Sequence, residues 1–195
     1  MRPRRTALRD DELSICPAEN FGASLWGGKI QFAPPIRPIC RQENSLYPTS
    51  CADVELREIT ADTVRRVCEI AVAERQRGFV AANALSIAQA HFEPRHWMRA
   101  ICVGDEVAGF VLTKEDRQQP LFYLWRFMVD ASYQRRGVGR QAMELLLDRW
   151  RGLGAQEGVL SVVEDNHGAI AFYKSLGFRL TGELAGGELV MRLQL

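Results

Sequence analysis

Phe127-Met128-Val129-Asp130-Ala131-Ser132-Tyr133-Gln134-Arg135-Arg136-Gly137-Val138-Gly139-Arg140 is the stretch whose reading decides the fold of this chain. It passes from an apolar strand through a short loop and a basic, glycine-containing turn into a helix. The helix is well written. Met143, Leu146, Leu147 and Trp150 fall at i, i+3, i+4 and i+7 and predict one buried stripe. Arg149 and Arg151 occupy the last turn, and Gly152 is placed to serve as C′. The start is less ordinary. Gly137 and Gly139 lie in the first turn, where each costs up to about 1 kcal/mol of helix propensity relative to Ala. Bare backbone there lets a ligand reach the free N–H groups, and those groups with the helix dipole favour an anion. Arg135, Arg136 and Arg140 add positive charge, and no acid occurs from Tyr133 to Met143. A phosphate or pyrophosphate is the expected ligand.

A lone pair of glycines is weak evidence, but the pattern is longer. Val129, then Gln134-x-x-Gly137-x-Gly139, then the apolar helix resembles the acyl-CoA pyrophosphate loop of the GNAT family of N-acetyltransferases. The likeness continues in Leu160-Ser161-Val162, Asn166-His167-Gly168-Ala169 and Phe172-Tyr173-Lys174-Ser175-Leu176-Gly177-Phe178. These look like the same family's next strand and helix.

Outward from the central helix, the remaining elements follow from period and punctuation. Val54 to Ile59 alternates as a strand. Thr60 can cap a helix with Val64, Val67, Cys68 and Ala71 on its apolar face, and Asn83 can cap a second with Ile87, Ala88 and His91, halted by Pro94. Strands Trp97–Val103 and Val107–Leu112 form a hairpin at Gly104-Asp105-Glu106, and an apolar strand runs from Leu121 to Val129. After the central helix come a strand near Val159–Val163, a helix from His167 to Leu176, and strands Phe178–Leu184 and Leu189–Leu193 turned at Gly186-Gly187. The order predicts a mixed α/β fold of the α+β kind. The resemblance implies the GNAT acyl-CoA N-acyltransferase fold over residues 53–195, a mostly antiparallel central sheet flanked by helices. Residues 1–50 hold six of the eight prolines and no sustained period, and read as an irregular or disordered extension.

With 195 residues, 47% of them hydrophobic, the chain can bury a core for one domain. A net charge of +1 argues against nucleic-acid binding through bulk charge, and no apolar run is long enough to span a membrane. The five cysteines are odd in number and widely spaced, so neither a disulfide framework nor a zinc site is expected, and a reducing cytoplasm is the expected compartment. Cys68 and Cys102 fall on apolar faces and read as core residues. His91, Glu93 and His96 lack metal-ligand spacing, and no metal is expected.

Carried over from the family, the resemblance implies acetyl-CoA as the acetyl donor. Its pantetheine arm would lie along the strand backbone at Phe127, Met128 and Val129. The turn from Gln134 through Arg135, Arg136, Gly137, Val138, Gly139 and Arg140 would hold the pyrophosphate. Asn166 would contact the pantetheine, or cap its own helix, or both. Tyr173 sits on the inner face of its helix with Ala169, Phe172 and Leu176; it reads as a core tyrosine or, by resemblance, as the general acid that protonates the departing thiolate. Many relatives carry a glutamate base on the strand before the loop. Leu121 to Val129 has no carboxylate here, which leaves Glu164, Asp165, Asp130 or a water chain. No Ser–His or Cys–His pairing suggests a covalent intermediate.

The acceptor would be a small-molecule primary amine, with a homodimer open as the assembly. Leu124-Trp125-Arg126-Phe127-Met128-Val129-Asp130, His91-Phe92-Glu93-Pro94 and Ala81-Ala82-Asn83 resemble the bacterial diamine and spermine/spermidine N-acetyltransferases. A polyamine should want acids in its pocket, and Glu93, Glu74 and Asp116 are candidates. A peptide N-terminus, an antibiotic or another small amine stands as the alternative acceptor, and a non-catalytic acyl-CoA-binding sensor as the alternative function.

Overall fold

The run of buried residues from Val107 to Thr113 marks the centre of the sheet around which the computed structural model is built. The structure describes residues 54–195; the expected extension over residues 1–50 lies outside them. The strands are β1 (Val54–Arg57), β2 (His96–Val103), β3 (Glu106–Lys114), β4 (Leu121–Val129), β5 (Glu157–Val162), β6 (Arg179–Ala185) and β7 (Glu188–Gln194). The helices are α1 (Val64–Glu69), α2 (Asn83–His91), α3 (Val138–Gly152) and α4 (His167–Ser175). The sheet order is β1-β2-β3-β4-β5-β7-β6. Every adjacent pair is antiparallel except β4–β5, which is parallel and needs α3 as its crossover. The α+β class and the mostly antiparallel sheet are as the sequence predicts.

Period-two alternation sends β3 to both faces, because successive side chains point oppositely. Val111 joins a core with Phe122, Leu124, Met143, Leu146 and Trp150, under α3. Phe110 and Leu112 join a second core with Val67, Ile70, Ala90 and Met128, under α1 and α2. The predicted stripe of α3 is buried throughout, and Trp150 meets Phe122 edge-to-face at 6.0 Å. Glu115 ties this corner together. Its side chain is only 6% exposed and accepts from Arg149 at 2.9 Å, Trp150 Nε1 at 3.1 Å and Thr113 Oγ1 at 2.9 Å. A buried carboxylate persists only when paired this fully.

Some helix ends differ from expectation. Asn83 does not cap α2; it is the first helical residue, buried, and its Nδ2 donates to the Val67 carbonyl at 2.8 Å. It answers a carbonyl that the end of α1 leaves without a partner. Thr60 is not the cap of α1 either. Its carbonyl accepts from Thr63 and Val64 in a preceding turn, and Thr63 stands at the cap. At the end of α3, Gly154 rather than Gly152 takes the left-handed conformation, at φ 83°. Its N–H reaches Arg151 O, and Ala155 N–H reaches Trp150 O, both at 3.0 Å, which closes the helix two residues later than expected. Cys102 is buried as expected, but Cys68 is exposed.

Gly158 on β5 leaves room for Trp150. A Cβ there would stand 2.7 Å from Trp150 Cζ3, in the middle of the core. Gly158→Ala should therefore lower stability by about 1–3 kcal/mol through overpacking. The urea midpoint should fall with an unchanged m-value; a wild-type midpoint would mean that Trp150 can turn aside freely.

Candidate active site

The sheet opens between β4 and β5. Parallel pairing joins Leu121–Leu124 to Glu157–Leu160 and then stops. Beyond it, β4 runs on to Val129 and β5 to Val162 without touching each other's ladder. The cause is local. Against β3, Thr113 pairs with Leu124 and Leu112 with Arg126, so Trp125 is an extra residue in β4. Such a bulge bends the strand and increases its twist. It stands where β4 leaves β5, and β3 holds the departed segment as far as Val129. A cleft of about 940 Å³ fills the opening. Across it Phe127 of β4 stacks on Phe172 of α4, centroids 6.1 Å apart.

One end of the cleft is the turn read first in the sequence. Asp130 caps a single 3-10 turn, Ala131–Tyr133, accepting from Ser132 N–H at 3.0 Å and Ser132 Oγ at 2.6 Å. Gln134 then clamps the loop, its Nε2 2.9 Å from both Val129 O and Gln76 Oε1. Arg135 and Gly137 both have positive φ, 63° and 84°. A non-glycine residue in that region is uncommon, and alternating conformations of this kind turn successive N–H groups to one side. Helix α3 starts at Val138, and its first turn closes with Gln141 N–H on Gly137 O at 3.1 Å. The N–H groups of Val138, Gly139 and Arg140 precede that bond and have no intrahelical acceptor. Gly139 opens toward the cleft floor: a Cβ there would meet Val129, Phe172 and Phe127 at ordinary contact distance. The arginines differ in freedom. Arg140 donates to Ser175 Oγ at 2.9 Å, and Arg136 donates to Ser132 O at 3.3 Å and lies over Tyr133. Arg135 has no side-chain partner among the described residues.

The other end is built by α4, β5 and β7. Asn166 caps α4, its Oδ1 accepting from Ala169 N–H at 3.2 Å, which leaves its Nδ2 for the cleft that it lines. Ala169, Phe172, Tyr173 and Leu176 all pack on the α3 core, as their spacing predicts. Tyr173 meets Phe172 and Phe178 with its ring, but its hydroxyl finds no hydrogen-bond partner among the described residues. Burial pushes its pKa well up, with neighbouring Tyr123 adding to the effect, so the phenol keeps its proton. Tyr123 Oη lies 2.7 Å from Ser161 Oγ, and Ser161 Oγ donates to Glu188 Oε2 at 2.5 Å. Arg126 completes the group. Its Nη1 donates to Trp125 O at 2.8 Å and its guanidinium lies over the Trp125 ring, while its Nε is buried without a partner. Burial lowers its pKa, and Tyr123 and Glu188 partly restore it.

The acids proposed from sequence lie elsewhere. Glu93 pairs with Lys114 at 3.2 Å, Glu74 with Arg77 at 3.0 Å, and Asp116 with Arg95; none lines the cleft. Asp130 is consumed by its cap and by Arg66 at 3.2 Å, and Glu164 is exposed outside the cleft wall. Asp165 does line the cleft, from an exposed loop. Glu188, and its grouping with Ser161 and Tyr123, went unnoticed in sequence because only the sheet order brings β7 beside β5, with Ser161 opposite Val190. Among the described residues no group of three ligating side chains forms a metal cluster, and no helix is long and apolar enough to cross a membrane.

The cleft thus joins a parallel strand pair that parts beside a bulge to a helix N-terminus whose free N–H groups suit an anion. The chain belongs to the acetyltransferase (GNAT) family, whose model matches residues 64–178, and the family's donor substrate is acetyl-CoA. It is 26% identical over 149 residues to the spermine/spermidine N(1)-acetyltransferase of Bacillus subtilis (strain 168), covering 71% of this chain and 96% of that protein. It is 44% identical over 73 residues to the [ribosomal protein bS18]-alanine N-acetyltransferase of Escherichia coli (strain K12), covering 37% of this chain and 48% of that one. In fold it is similar to the paia N-acetyltransferase of Thermoplasma acidophilum, solved in complex with coenzyme A, with a TM-score of 0.59 and 15% identity over 73% of this chain and 99% of that one.

Asp130 generates a pH prediction. Burial alone would raise its carboxyl, but hydrogen bonds from Ser132 and the charge of Arg66 outweigh that and hold it below the usual carboxylate range. A depressed folded-state pKa contributes stability above the unfolded value of about 3.9, and that stability is lost as pH falls through the lower folded value. Asp130→Asn should therefore be less stable than wild type at neutral pH, by about 1 kcal/mol or more. The gap should close in acid. Urea midpoints of both proteins along a pH series check this, and a gap independent of pH would contradict it.

Proposed function

We propose that this acetyltransferase moves the acetyl group of acetyl-CoA directly to a primary amine of a polyamine, a diamine, spermidine or spermine, without an acyl-enzyme. The observation that carries the reading is the Tyr173 hydroxyl, its pKa raised by burial and without a partner among the described residues, in the wall of the cleft that opens where β4 and β5 part. On this reading the pantetheine arm runs beside Phe127, Met128 and Val129 along the edge of β4 that β5 leaves unpaired, and Asn166 Nδ2 bonds it. The N–H groups from Arg135 through Arg136, Gly137, Val138 and Gly139 to Arg140 cradle the pyrophosphate, with Gln134 holding the turn in shape. Bound donor supplies the activated thioester. The protein fixes that thioester near Tyr173, excludes water with Phe127 and Phe172, and donates a proton as C–S cleavage charges the sulfur.

The polyamine assignment is supported by the relative matched over 96% of its length and by Glu188, a carboxylate at the acceptor side of the cleft. One observation favours a second acceptor, a peptide α-amine. Arg126 presents a half-buried guanidinium to the cleft, which a peptide's carbonyl or carboxylate can pair and a polyamine cannot. The cytoplasm, where the exposed Cys68 thiol stays reduced, is the compartment that accompanies this reading. Release of CoA thiol from acetyl-CoA, measured with spermidine, a diamine and an alanine-terminated peptide, tests the function. Turnover of the peptide alone would replace the polyamine, and turnover of none would leave only donor binding.

Gly137→Asp should weaken acetyl-CoA binding by at least about tenfold, a change of about 1.4 kcal/mol. It places a carboxylate against the anion and strains a turn at φ 84°. Calorimetry reads the affinity directly, and an unchanged value would remove the turn from the donor site.

Tyr173→Phe keeps the ring and its packing and deletes the proton donor. Melting temperature and acetyl-CoA affinity should hold, while kcat falls by about 10²–10⁴-fold. A Phe variant that turns over at full speed would assign the proton to water.

A further inference from the structure

The strand before the phosphate turn carries no carboxylate, yet an amine that is protonated in water must lose a proton before it can attack. Among the described residues, Asp165 and Glu188 alone bring carboxylates to the cleft wall. Asp165 is exposed on a loop and adjoins Asn166, toward the donor side. Glu188 is half-buried at the start of β7, forms no ion pair among the described residues, and makes its hydrogen bond to Ser161. Ser161 in turn joins it to Tyr123, so one chain of hydrogen bonds crosses three adjacent strands, β4, β5 and β7. The chain lies where the parallel ladder has just ended at Leu124 and Leu160, which is the opening an acceptor must enter.

We propose that Glu188, held by Ser161 and Tyr123, is the general base that takes the proton from the acceptor ammonium. This rests on the acetyl-transfer reading above. The carboxylate removes one proton from R–NH3⁺ and becomes a carboxylic acid. The freed nitrogen lone pair forms the C–N bond to the thioester carbonyl, and the C–S bond breaks. The departing sulfur takes the Tyr173 proton, and the second nitrogen proton returns to the phenolate through water. Glu188 gives its proton to solvent, so the sum is one amide, one CoA thiol and one proton released. Ser161 and Tyr123 are positioning residues: their hydroxyls orient the carboxylate. The other charged or titratable groups sharing the cleft wall nearby are Arg126 from β4 and Tyr173 and His167 from α4. Ser161 is the contribution of β5, and Glu183 of β6 is taken by Arg192 at 3.4 Å.

The test is Glu188→Gln, which preserves an acceptor for Ser161 and removes the base, with Glu188→Asp as the variant that restores a carboxylate. Acetyl-CoA affinity, melting temperature, and kcat and KM for spermidine and for an alanine-terminated peptide are measured along a pH series. The Gln variant should bind acetyl-CoA as wild type does and lose about 10²–10⁴-fold in kcat/KM near neutral pH. The deficit should narrow as pH approaches the acceptor's own pKa, because solvent then supplies the free amine. Glu188→Asp should recover part of the rate. A Gln variant with the wild-type rate and pH profile overturns the assignment, and so does equal activity of the Gln and Asp variants. A rise in KM with kcat and the profile unchanged would also overturn it, making Glu188 a holder of the ammonium only. Wild-type protein that acetylates neither acceptor would instead overturn the acetyl-transfer reading, and this assignment with it.

Discussion

One extra residue in β4 governs the molecule. With Trp125 bulged out of the β3–β4 ladder, β4 cannot stay parallel to β5 past Leu124. Parallel strands normally bury their edges against each other, and leaving two facing edges unpaired exposes a row of backbone donors and acceptors. Those edges become walls of the cleft. Everything at the site is then arranged by distance from that point. The Gln134–Arg140 turn follows the end of β4, while Tyr173 of α4 and Glu188 of β7, on the far side of β5, line the cleft.

Holding a sheet open costs stability, and the two cores explain how it is met. Burial on both faces of β3 fixes the half of the sheet that carries β4. The Glu115 cluster locks the C-terminal end of α3, while the left-handed pair at Arg135 and Gly137 sets its beginning. A helix pinned at both ends presents its N-terminus in one orientation, and oriented N–H groups bind an anion without first paying to become ordered. Strain in the turn at Arg135 is the kind that persists where the surroundings over-determine it, here through the Gln134 clamp and the Asp130 cap.

Charge is divided along the cleft in a way that suits the chemistry. The donor end has arginines and free N–H groups. The acceptor end has one hydrogen-bonded carboxylate and one half-buried guanidinium close enough to feel it. A phenol whose pKa is raised by burial and a carboxylate without a salt bridge among the described residues thus line the same cleft.

The sequence carried the elements and the glycine turn at the start of α3 in local patterns. The i, i+3, i+4, i+7 stripe of α3, the alternation in the strands and the Gly137-Val138-Gly139 turn are local patterns, and local patterns survive reading one residue after another. The Asn166 cap and the inward face of Tyr173 were legible for the same reason, from the start and the period of α4, while their roles toward a donor came from the family resemblance. Helix ends were less legible. Asn83, Thr60 and Gly152 each had the right chemistry for a cap, but Asn83 is claimed by the distant Val67 carbonyl, and the neighbours Thr63 and Gly154 stand at the ends instead of Thr60 and Gly152. The acceptor end was decided by tertiary structure alone. Glu188 follows an ordinary glycine turn and looks like any strand-edge acid. It reaches the cleft because β7 inserts between β5 and β6, and because a register that places Val190 opposite Ser161 sets the carboxylate within hydrogen-bond reach of the serine. Strand insertion and register depend on how whole faces pack, and no window of sequence contains that information.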